Sequence, residues 1–108
     1  DATGGLWQSG KLVGKTAGVF QGTGTMQGGQ ETVAMNCMSF FAHQGMVFIP
    51  LGYTYPQAFS YDEIHGASPW GSGTYAGPDG SRQPTSMELS IAENHGKHFA
   101  NLTTKLSA

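Results

Sequence analysis

Residues 16–51 read TAGVFQGTGTMQGGQETVAMNCMSFFAHQGMVFIPL and predict a strand, a glycine-rich loop, a helix and a second strand. The runs Thr16–Phe20 and Met46–Leu51 are apolar without alternation, which is typical of strands in a parallel sheet that helices cover on both faces. Between them, residues 31–44 predict a helix, because apolar residues recur at helical spacing. These residues are Val33, Ala34, Cys37, Met38, Phe41 and Ala42. The stretch therefore predicts one parallel strand–helix–strand unit, with Gly45 just past the end of the helix.

The flanking segments predict one more long helix and a long irregular region. Residues 1–12 are expected to form the frayed end of a helix followed by a turn at a glycine pair. Residues 52–84 hold no clear helix or strand, and so long an irregular segment is usually functional or part of an interface. A helix is predicted from Ser86 to Lys105, because Thr85 and Glu88 form a capping box at its start. Its expected buried stripe consists of Leu89, Ala92, Gly96, Phe99 and Leu106.

Two strands and these helices do not make a complete fold. Both strands have the pattern of strands buried on both faces, and two or three helices cannot cover them on every side. We therefore expect further strands to flank them, supplied by an N-terminal half of the same domain that is missing from this chain. Residues 1–108 would then be the C-terminal half of one α/β domain.

The composition narrows the class of partner. Charged residues make up 11% of the chain and the formal net charge is −2, so nothing electrostatic favours nucleic acid or an anionic membrane as a partner. No apolar stretch approaches the roughly 20 residues of a spanning helix, and the first residues lack the features of a signal peptide. The single cysteine, Cys37, cannot form an internal disulfide, which fits a reducing compartment. We expect a cytoplasmic protein with no membrane span and no nucleic-acid partner.

Four motifs follow one another in an order that resembles one family over essentially all 108 residues. They are TGGLW at 3–7, GVFQGTGTMQGGQE at 18–31, AHQGMVFIPLGY at 42–53 and GASPWGSGTYAGPDGSRQP at 66–84. The chain resembles the FMN-dependent NAD(P)H:quinone oxidoreductases of the tryptophan-repressor-binding-protein (WrbA) type. The resemblance implies a flavodoxin-like, doubly wound parallel sheet, of which this chain supplies the fourth and fifth strands and the helices after each. It also implies a homotetramer, and an FMN-phosphate loop in the missing half.

The uncharged segment Gly22–Gly29 follows a predicted strand and precedes a predicted helix, which is where open α/β sheets bind ligands. Its glycines let the backbone approach a planar ring, and its N–H groups and the helix N-terminus favour the negative charge that a reduced flavin acquires. A plain tight turn is the alternative. A phosphate-binding P-loop is excluded because no lysine follows the glycines. A dinucleotide fingerprint fails because Gln27 stands at its last glycine position.

The resemblance assigns particular residues to FMN and to the substrate. Those implied to contact FMN are Gly22, Thr23, Gly24, Thr25, Met26, Gln27 and His43. The family usually has serine where this chain has Gly22, and often has a second histidine where this chain has Gln44, so one hydroxyl contact and a histidine pair are lost. Trp7 is implied to bind a quinone or nicotinamide by stacking, and Tyr53 to line the same pocket. The alternatives are a helix-end role for His43 and a core position for Trp7.

Three other features have less specific interpretations. Residues 66–84 are interpreted as assembly surface and pocket rim, with Arg82 as a salt-bridge or anion contact, and a solvated loop is the alternative. His95 and His98 are interpreted as a solvent-facing pair rather than a metal site, since no third ligand lies near them in sequence. Cys37 is interpreted as a buried apolar residue rather than a nucleophile.

The sequence thus predicts an enzyme in which a flavin, rather than a side chain, carries the chemistry. NAD(P)H would reduce the flavin, and the flavin would pass two electrons to a quinone bound in the same slot. A single-electron carrier is the second hypothesis, although such carriers are typically acidic and this chain has a formal charge of only −2. A non-catalytic structural protein, or a fragment with no activity of its own, is the third.

Overall fold

A computed structural model describes residues 2–107 and has a mixed α/β architecture. The helices are α1 (Gly4–Ser9), α2 (Gln30–Gln44) and α3 (Ser86–Ser107), with one 3-10 turn at Pro56–Phe59. The strands are β1 (Thr16–Ala17), β2 (Gln21–Thr23), β3 (Val47–Phe48) and β4 (Gly73–Tyr75). Asp1, which the sequence assigns to the N-terminal helix end, lies outside the described residues.

The strands pair in parallel in two small sheets. β1 pairs with β3 and β2 pairs with β4, so the parallel strand–helix–strand unit predicted within residues 16–51 is confirmed. Lys15 and Ala17 form backbone hydrogen bonds to the chain at β3, and Gln21 and Thr23 form them to the chain at β4, with N···O distances of 2.7 to 3.2 Å. Because alternate residues of a strand point their N–H and C=O groups to the same edge, β3 and β4 lie one after the other along one edge of residues 15–23.

The predicted strands are too long, and three predictions in glycine-rich regions are wrong. Thr16–Phe20 is a strand only over its first two residues, because its neighbour then changes from β3 to the chain around Gly71, where a Cβ would overlap the Val19 carbonyl oxygen. β2 occupies positions predicted to be loop, and β4 lies in the region predicted to be irregular. Pairing between these two strands outweighs the low strand propensity of their glycines. The turn predicted at the glycine pair comes instead at Gly10, with φ 66°, and the glycine pair begins α1.

The predicted end of α2 and the predicted start of α3 are confirmed, whereas α3 continues past the predicted Lys105 to Ser107. Gly45 follows α2 with a left-handed φ of 73°, and its N–H donates to carbonyls of the last turn. At the start of α3, the Glu88 N–H donates to Thr85 Oγ1 at 3.1 Å, and the Thr85 N–H donates to Glu88 Oε1 at 2.9 Å. This is the reciprocal capping box that the sequence predicts.

The apolar faces predicted for the helices are only partly buried. On α2, Ala34 is buried, Cys37, Met38 and Phe41 are half-buried, and Val33 and Ala42 are exposed. The buried stripe predicted for α3 is wrong: Leu89, Ala92, Gly96 and Leu106 are exposed and Phe99 is half-buried. The buried residues of α3 are Glu88, Ile91 and His95. Hydrogen bonds from the Gly66 N–H to Glu88 and from the Ser72 N–H to His95 turn this line of residues inward, and the apolar stripe is left beside open space.

The core is small and the molecule is flat. The buried hydrophobic residues are Ala17, Ala34, Ile49, Leu51, Tyr75 and Ile91. The accessible surface is 6904 Å², compared with about 5,800 Å² for a folded monomer of this mass. The radius of gyration is 15.3 Å, and the extents are 45 × 32 × 17 Å; a compact chain of this length has a radius of about 13 Å. Much apolar surface therefore remains uncovered.

Within residues 2–107, no helix combines the length and the apolar character that crossing a bilayer requires.

Candidate functional site

The segment Gly22–Gly29, called the Gly/Thr segment below, is folded back on itself at the carboxyl end of β2. Thr23 Oγ1 donates to the Thr25 carbonyl at 2.6 Å, and the Gly28 N–H donates to the same carbonyl at 3.3 Å. A Cβ on Gly28 would lie 2.9 Å from Thr23 Cβ, so the inner side of the segment is filled. A Cβ on Gly24, in contrast, would meet no atom within 4 Å. The segment therefore has a packed inner side and an open outer side.

Of the residues that the resemblance assigns to FMN, Gly24 lies on the open side, whereas Thr23 Cβ and Thr25 Oγ1 lie on the filled inner side against Gly28. Gly22 and Thr23 lie in β2 rather than in a loop, which corrects that part of the prediction. Gly24, Thr25, Met26 and Gln27 follow as an exposed turn. The structure thus brings these residues together in one continuous segment, immediately before α2.

The start of α2 adds backbone donors to the same place. Its N-cap is Gly29, with φ 98°, and no side chain among residues 2–107 caps the helix there. The first N–H groups of a helix have no partner within the helix, and they carry the positive end of its dipole. An uncapped helix start beside an uncharged glycine turn suits a neutral or negative oxygen of a ligand.

A crevice of about 270 Å³ separates the Gly/Thr segment from the chain at residues 65–68. It is lined by Met26, Gln27, Gly29, Gln30, Glu31, Thr32, His65, Gly66, Ala67 and Ser68. Ligand pockets usually measure about 300–1,000 Å³, so this crevice is at the lower limit for enclosing a ligand.

Residues 65–68 form the opposite wall of this crevice; residues 66–68 belong to the segment interpreted as assembly surface and pocket rim, whereas nothing in the sequence singled out His65. Gln30 fixes this wall, because its amide accepts from the Ala67 N–H at 3.4 Å and donates to the Thr74 carbonyl at 2.7 Å. Ala67 has a positive φ of 88°, and His65 Nδ1 contacts the Gly66 carbonyl. An alanine gives no sequence signal for a left-handed backbone, so only the neighbouring glycine hinted at this turn.

A buried carboxylate holds this wall to β4 and α3. Glu88 is 3% exposed and accepts from the Gly66 N–H at 2.7 Å and from Thr74 Oγ1 at 2.8 Å. Arg82 donates to both its oxygens at 3.2 Å and lies 3.9 Å above the Tyr75 ring. Burial raises the pKa of Glu88. These hydrogen bonds and the bond from the Thr85 N–H lower it by more than burial raises it, so the pKa lies below its ordinary value.

The hydrogen bonds around Glu88 decide between the alternatives given for residues 66–84. Of the two roles predicted for Arg82, the salt bridge is confirmed. The alternative of a solvated loop is wrong for residues 66–75, where Gly66, Gly71, Ser72 and Tyr75 are buried.

His43 and Trp7 lie together at the other end of α2. They line an open cavity of about 400 Å³ with Thr3, Gly4, Ser39, Phe40 and Gln44. Trp7 is 59% exposed, so it does not belong to the core of this chain. His43 Nδ1 donates to the Ser39 carbonyl at 2.7 Å, within its own helix. Since α2 has 15 residues, a rise of about 1.5 Å per residue puts this cavity roughly 20 Å from the Gly/Thr segment.

Tyr53 belongs to neither group of cavity-lining residues. It is 76% exposed, and its ring stacks on Phe59 with the centroids 4.3 Å apart. The described chain therefore places the predicted site residues in three groups, of which only the Gly/Thr segment lies at the carboxyl end of a strand.

The interpretation of His95 as solvent-facing is wrong. Its side chain is buried, and Nδ1 accepts from the Ser72 N–H at 3.2 Å. Burial, followed by repulsion from His98, lowers the pKa of His95. Within residues 2–107, no group of three or more His, Cys, Asp or Glu side chains could hold a metal ion.

No family model matches the chain. It is 51% identical over 97% of its length to NAD(P)H quinone oxidoreductase PST2 of Candida albicans, and covers 52% of that protein. It is 48% identical over 98% of its length to quinone-oxidoreductase QR2 of Triphysaria versicolor, and covers 52% of it. It is also 49% identical over 97% of its length to minor allergen Alt a 7 of Alternaria alternata, and covers 52% of it. The chain thus spans about half the length of these curated relatives, and the expected similarity to quinone oxidoreductases is confirmed.

Proposed function

We propose that this chain is the C-terminal half of a flavodoxin-like, FMN-dependent NAD(P)H:quinone oxidoreductase of the WrbA type. The complete protein transfers two electrons from NAD(P)H to a quinone. The observation that carries this proposal is the Gly/Thr segment, open on its outer side and placed between the carboxyl end of a parallel strand and an uncapped helix start. The relatives that are about 50% identical and are named as quinone oxidoreductases support this proposal.

The residues present fit a flavin ring. Gly24 leaves open space where a side chain would otherwise stand, and the exposed turn carries no charge. The first N–H groups of α2 have no partner within the helix, and beside an uncharged turn such groups favour an oxygen that gains negative charge. When bound there, FMN supplies hydride acceptance and two-electron delivery. The chain itself would bind and orient the flavin ring and stabilise its negative charge.

Three features support a second half that completes the domain. β3 and β4 occupy one edge of residues 15–23, so the alternate backbone groups of Thr16, Gly18, Phe20 and Gly22 face the opposite edge. Gly18 and Phe20 are exposed there, Phe20 by 82%. The flat shape and large surface show apolar area that a further layer would cover. The relatives are about twice as long as this chain.

The position of His43 and Trp7 supports a site shared between copies. One flavin ring is shorter than the roughly 20 Å that separates them from the Gly/Thr segment along α2. A ring bound at the segment therefore meets His43 and Trp7 only if a second copy supplies them. We propose that the complete protein is a homotetramer in which His43 and Trp7 serve the neighbouring copy, Trp7 as a stacking surface for a quinone or nicotinamide. Tyr53 is proposed to line the same pocket, and the protein to be cytoplasmic.

The test uses the full-length protein loaded with FMN. We expect it to oxidise NADPH or NADH when benzoquinone is added, with one hydroquinone formed for each nicotinamide consumed. Turnover should stop when FMN is removed and return when FMN is restored. Bound FMN without turnover would favour the single-electron carrier. No FMN binding at all would favour a structural protein.

The 108-residue chain alone is the matched control for that experiment. We expect it to bind FMN weakly or not at all, because the phosphate-holding loop is proposed to lie in the other half. Micromolar or tighter binding by this chain would contradict the proposed division of the site.

Gly24→Ala is predicted to weaken FMN binding by roughly 5- to 150-fold in the full-length protein, since forcing a methyl group into a filled contact costs about 1–3 kcal/mol. Its Cβ meets nothing within 4 Å in the described part of the chain, so the fold should be unchanged. Fluorescence titration of FMN measures the affinity.

Gly22→Ser is the control for this prediction. Its Cβ would lie 3.9 Å from the Thr74 carbonyl, which is ordinary contact, and the added hydroxyl should keep or raise FMN affinity. Equal affinities for the Gly24→Ala variant and the wild type would show that no ring lies against Gly24.

A further inference from the structure

Gln30, the first residue of α2, joins the three segments that meet at the crevice. Its Nε2 donates to the Thr74 carbonyl of β4 at 2.7 Å and to Thr23 Oγ1 of the Gly/Thr segment at 3.2 Å. Its Oε1 accepts from the Ala67 N–H of the opposite wall at 3.4 Å. A Cβ on Gly73 would lie 2.5 Å from this oxygen, so a glycine there leaves the space that the amide fills. One half-buried side chain therefore links β4, the wall and the Gly/Thr segment.

The partners of the Gln30 amide fix the direction in which it faces. A carbonyl can only accept and a backbone N–H can only donate, so Nε2 lies at Thr74 and Oε1 lies at Ala67. Thr23 Oγ1 therefore accepts from Gln30, and its own proton is donated to the Thr25 carbonyl, 2.6 Å away. The hydrogen bonds thus run in one direction, from Gln30 through Thr23 to Thr25.

This chain of hydrogen bonds also determines where the Met26 N–H points. The Thr25 carbonyl accepts from Thr23 Oγ1 and, at 3.3 Å, from the Gly28 N–H, so it faces the inner side of the segment. The described residues contain no cis peptide bond, and in a planar trans peptide the N–H points opposite to the carbonyl. The Met26 N–H therefore points away from the inner side, and no backbone carbonyl within residues 2–107 accepts from it.

We propose that Gln30 is a positioning residue for the flavin. Acting through Thr23 and the Thr25 carbonyl, it holds the Met26 N–H outward, as a donor to the ring oxygen that gains negative charge on reduction. This rests on the part of the proposed function that places FMN at the Gly/Thr segment. A donor held in place favours the reduced flavin over the oxidised flavin, because the charge appears only on reduction. A side chain that served only the fold would affect the binding of both forms equally.

The test is the midpoint potential of FMN bound to the full-length protein, with Gln30→Met as the first variant. Methionine is similar in length to glutamine but donates no hydrogen bond, so the Thr23 hydroxyl loses its alignment. We expect the affinity for reduced FMN to fall roughly tenfold more than the affinity for oxidised FMN, near the lower end for a hydrogen bond to a charged group. This ratio corresponds to a midpoint potential about 30 mV more negative for a two-electron couple. An unchanged potential would overturn the proposal.

Thr23→Val is the second variant, and it leaves the other hydrogen bonds of Gln30 in place. It removes only the hydroxyl that joins Gln30 to the Thr25 carbonyl, so it should also make the potential more negative. Thr23→Ser keeps a hydroxyl and should shift the potential less than Thr23→Val does. Combining Gln30→Met with Thr23→Val should add little to either change, because both break the same chain of bonds. Equal shifts for serine and valine, or additive shifts in the double variant, would overturn the connection from Gln30 to Thr25.

Gln57→Met is the matched control, because Gln57 lies exposed in the 3-10 turn. It should change neither the potential nor the affinity for either form of FMN. A wild-type protein that binds no FMN would contradict the proposed function and this inference together. A protein that binds FMN and reduces benzoquinone, but whose potential responds to neither Gln30→Met nor Thr23→Val, would contradict this inference alone.

Discussion

Replacing Glu88 with glutamine is expected to lower the free energy of unfolding of the full-length protein by about 3 kcal/mol, because it leaves a cation without its buried partner. The carboxylate is 3% exposed and accepts from Gly66, Thr74 and Arg82. Glutamine replaces one acceptor oxygen with a donor that faces other donors. This loss lies at the lower end of the range usual when one partner of a buried ion pair is removed, because the Arg82 side chain is 25% exposed. Urea unfolding measures the change.

Glu93→Gln is the matched control on the same helix. Glu93 also pairs with a cation, Lys97, at 3.1 Å, but both side chains are 71% exposed. Exposed pairs of this kind contribute about 0.5 kcal/mol or less. Similar losses for the two variants would show that Glu88 has no special role in the fold.

The Glu88 prediction also has a pH dependence. Because the folded pKa of Glu88 lies below its ordinary value of 4.5, the unfolded chain takes up the proton at a higher pH than the folded chain does. The stabilisation is therefore complete above pH 4.5 and is lost as the pH falls through the lower folded pKa. The difference in unfolding free energy between wild type and the Glu88→Gln variant should be constant above that window and narrow below it.

The sequence predicts the long helices and their ends well because these depend on near neighbours. Gly45 suits a left-handed residue after a helix, and Thr85 and Glu88 lie three residues apart in a capping box. β2 and β4 cannot be predicted from near neighbours. Three residues that include glycine form a strand at Gln21 only because Gly73, far along the chain, lies opposite.

The candidate site divides in the same way. The position of the Gly/Thr segment between a strand and a helix follows from local pattern, and the structure agrees. The burial of Glu88 and His95 does not follow from local pattern, because charged or polar residues on an amphipathic helix are usually solvated. Their burial depends on donors from Gly66 and Ser72, which come together with α3 only in the folded chain.

Gly66→Ala is expected to lower the free energy of unfolding of the full-length protein by about 3 kcal/mol, at the upper end of the range for overpacking. A Cβ at this position would lie 2.5 Å from the carbonyl carbon and oxygen of Gly73 and 2.7 Å from the Thr74 nitrogen. These atoms belong to β4, which is paired to β2 and cannot move aside like a flexible side chain. Relief of the clash would also lengthen the 2.7 Å bond from the Gly66 N–H to Glu88.

Ala67→Gly, at the neighbouring position, is the control, and its expected effect on the free energy of unfolding is zero or of opposite sign. Ala67 has a φ of 88°, which glycine adopts without strain, so Ala67→Gly should be neutral or stabilising by up to about 1 kcal/mol. Both positions lie in the wall that faces the Gly/Thr segment, so the pair separates packing from any general sensitivity of this turn. Because Gly66→Ala pushes the wall away from β4, it should also weaken FMN binding, whereas Ala67→Gly should not. A stable Gly66→Ala protein with unchanged FMN affinity would show that this wall can move freely, and that the crevice it borders does not depend on it.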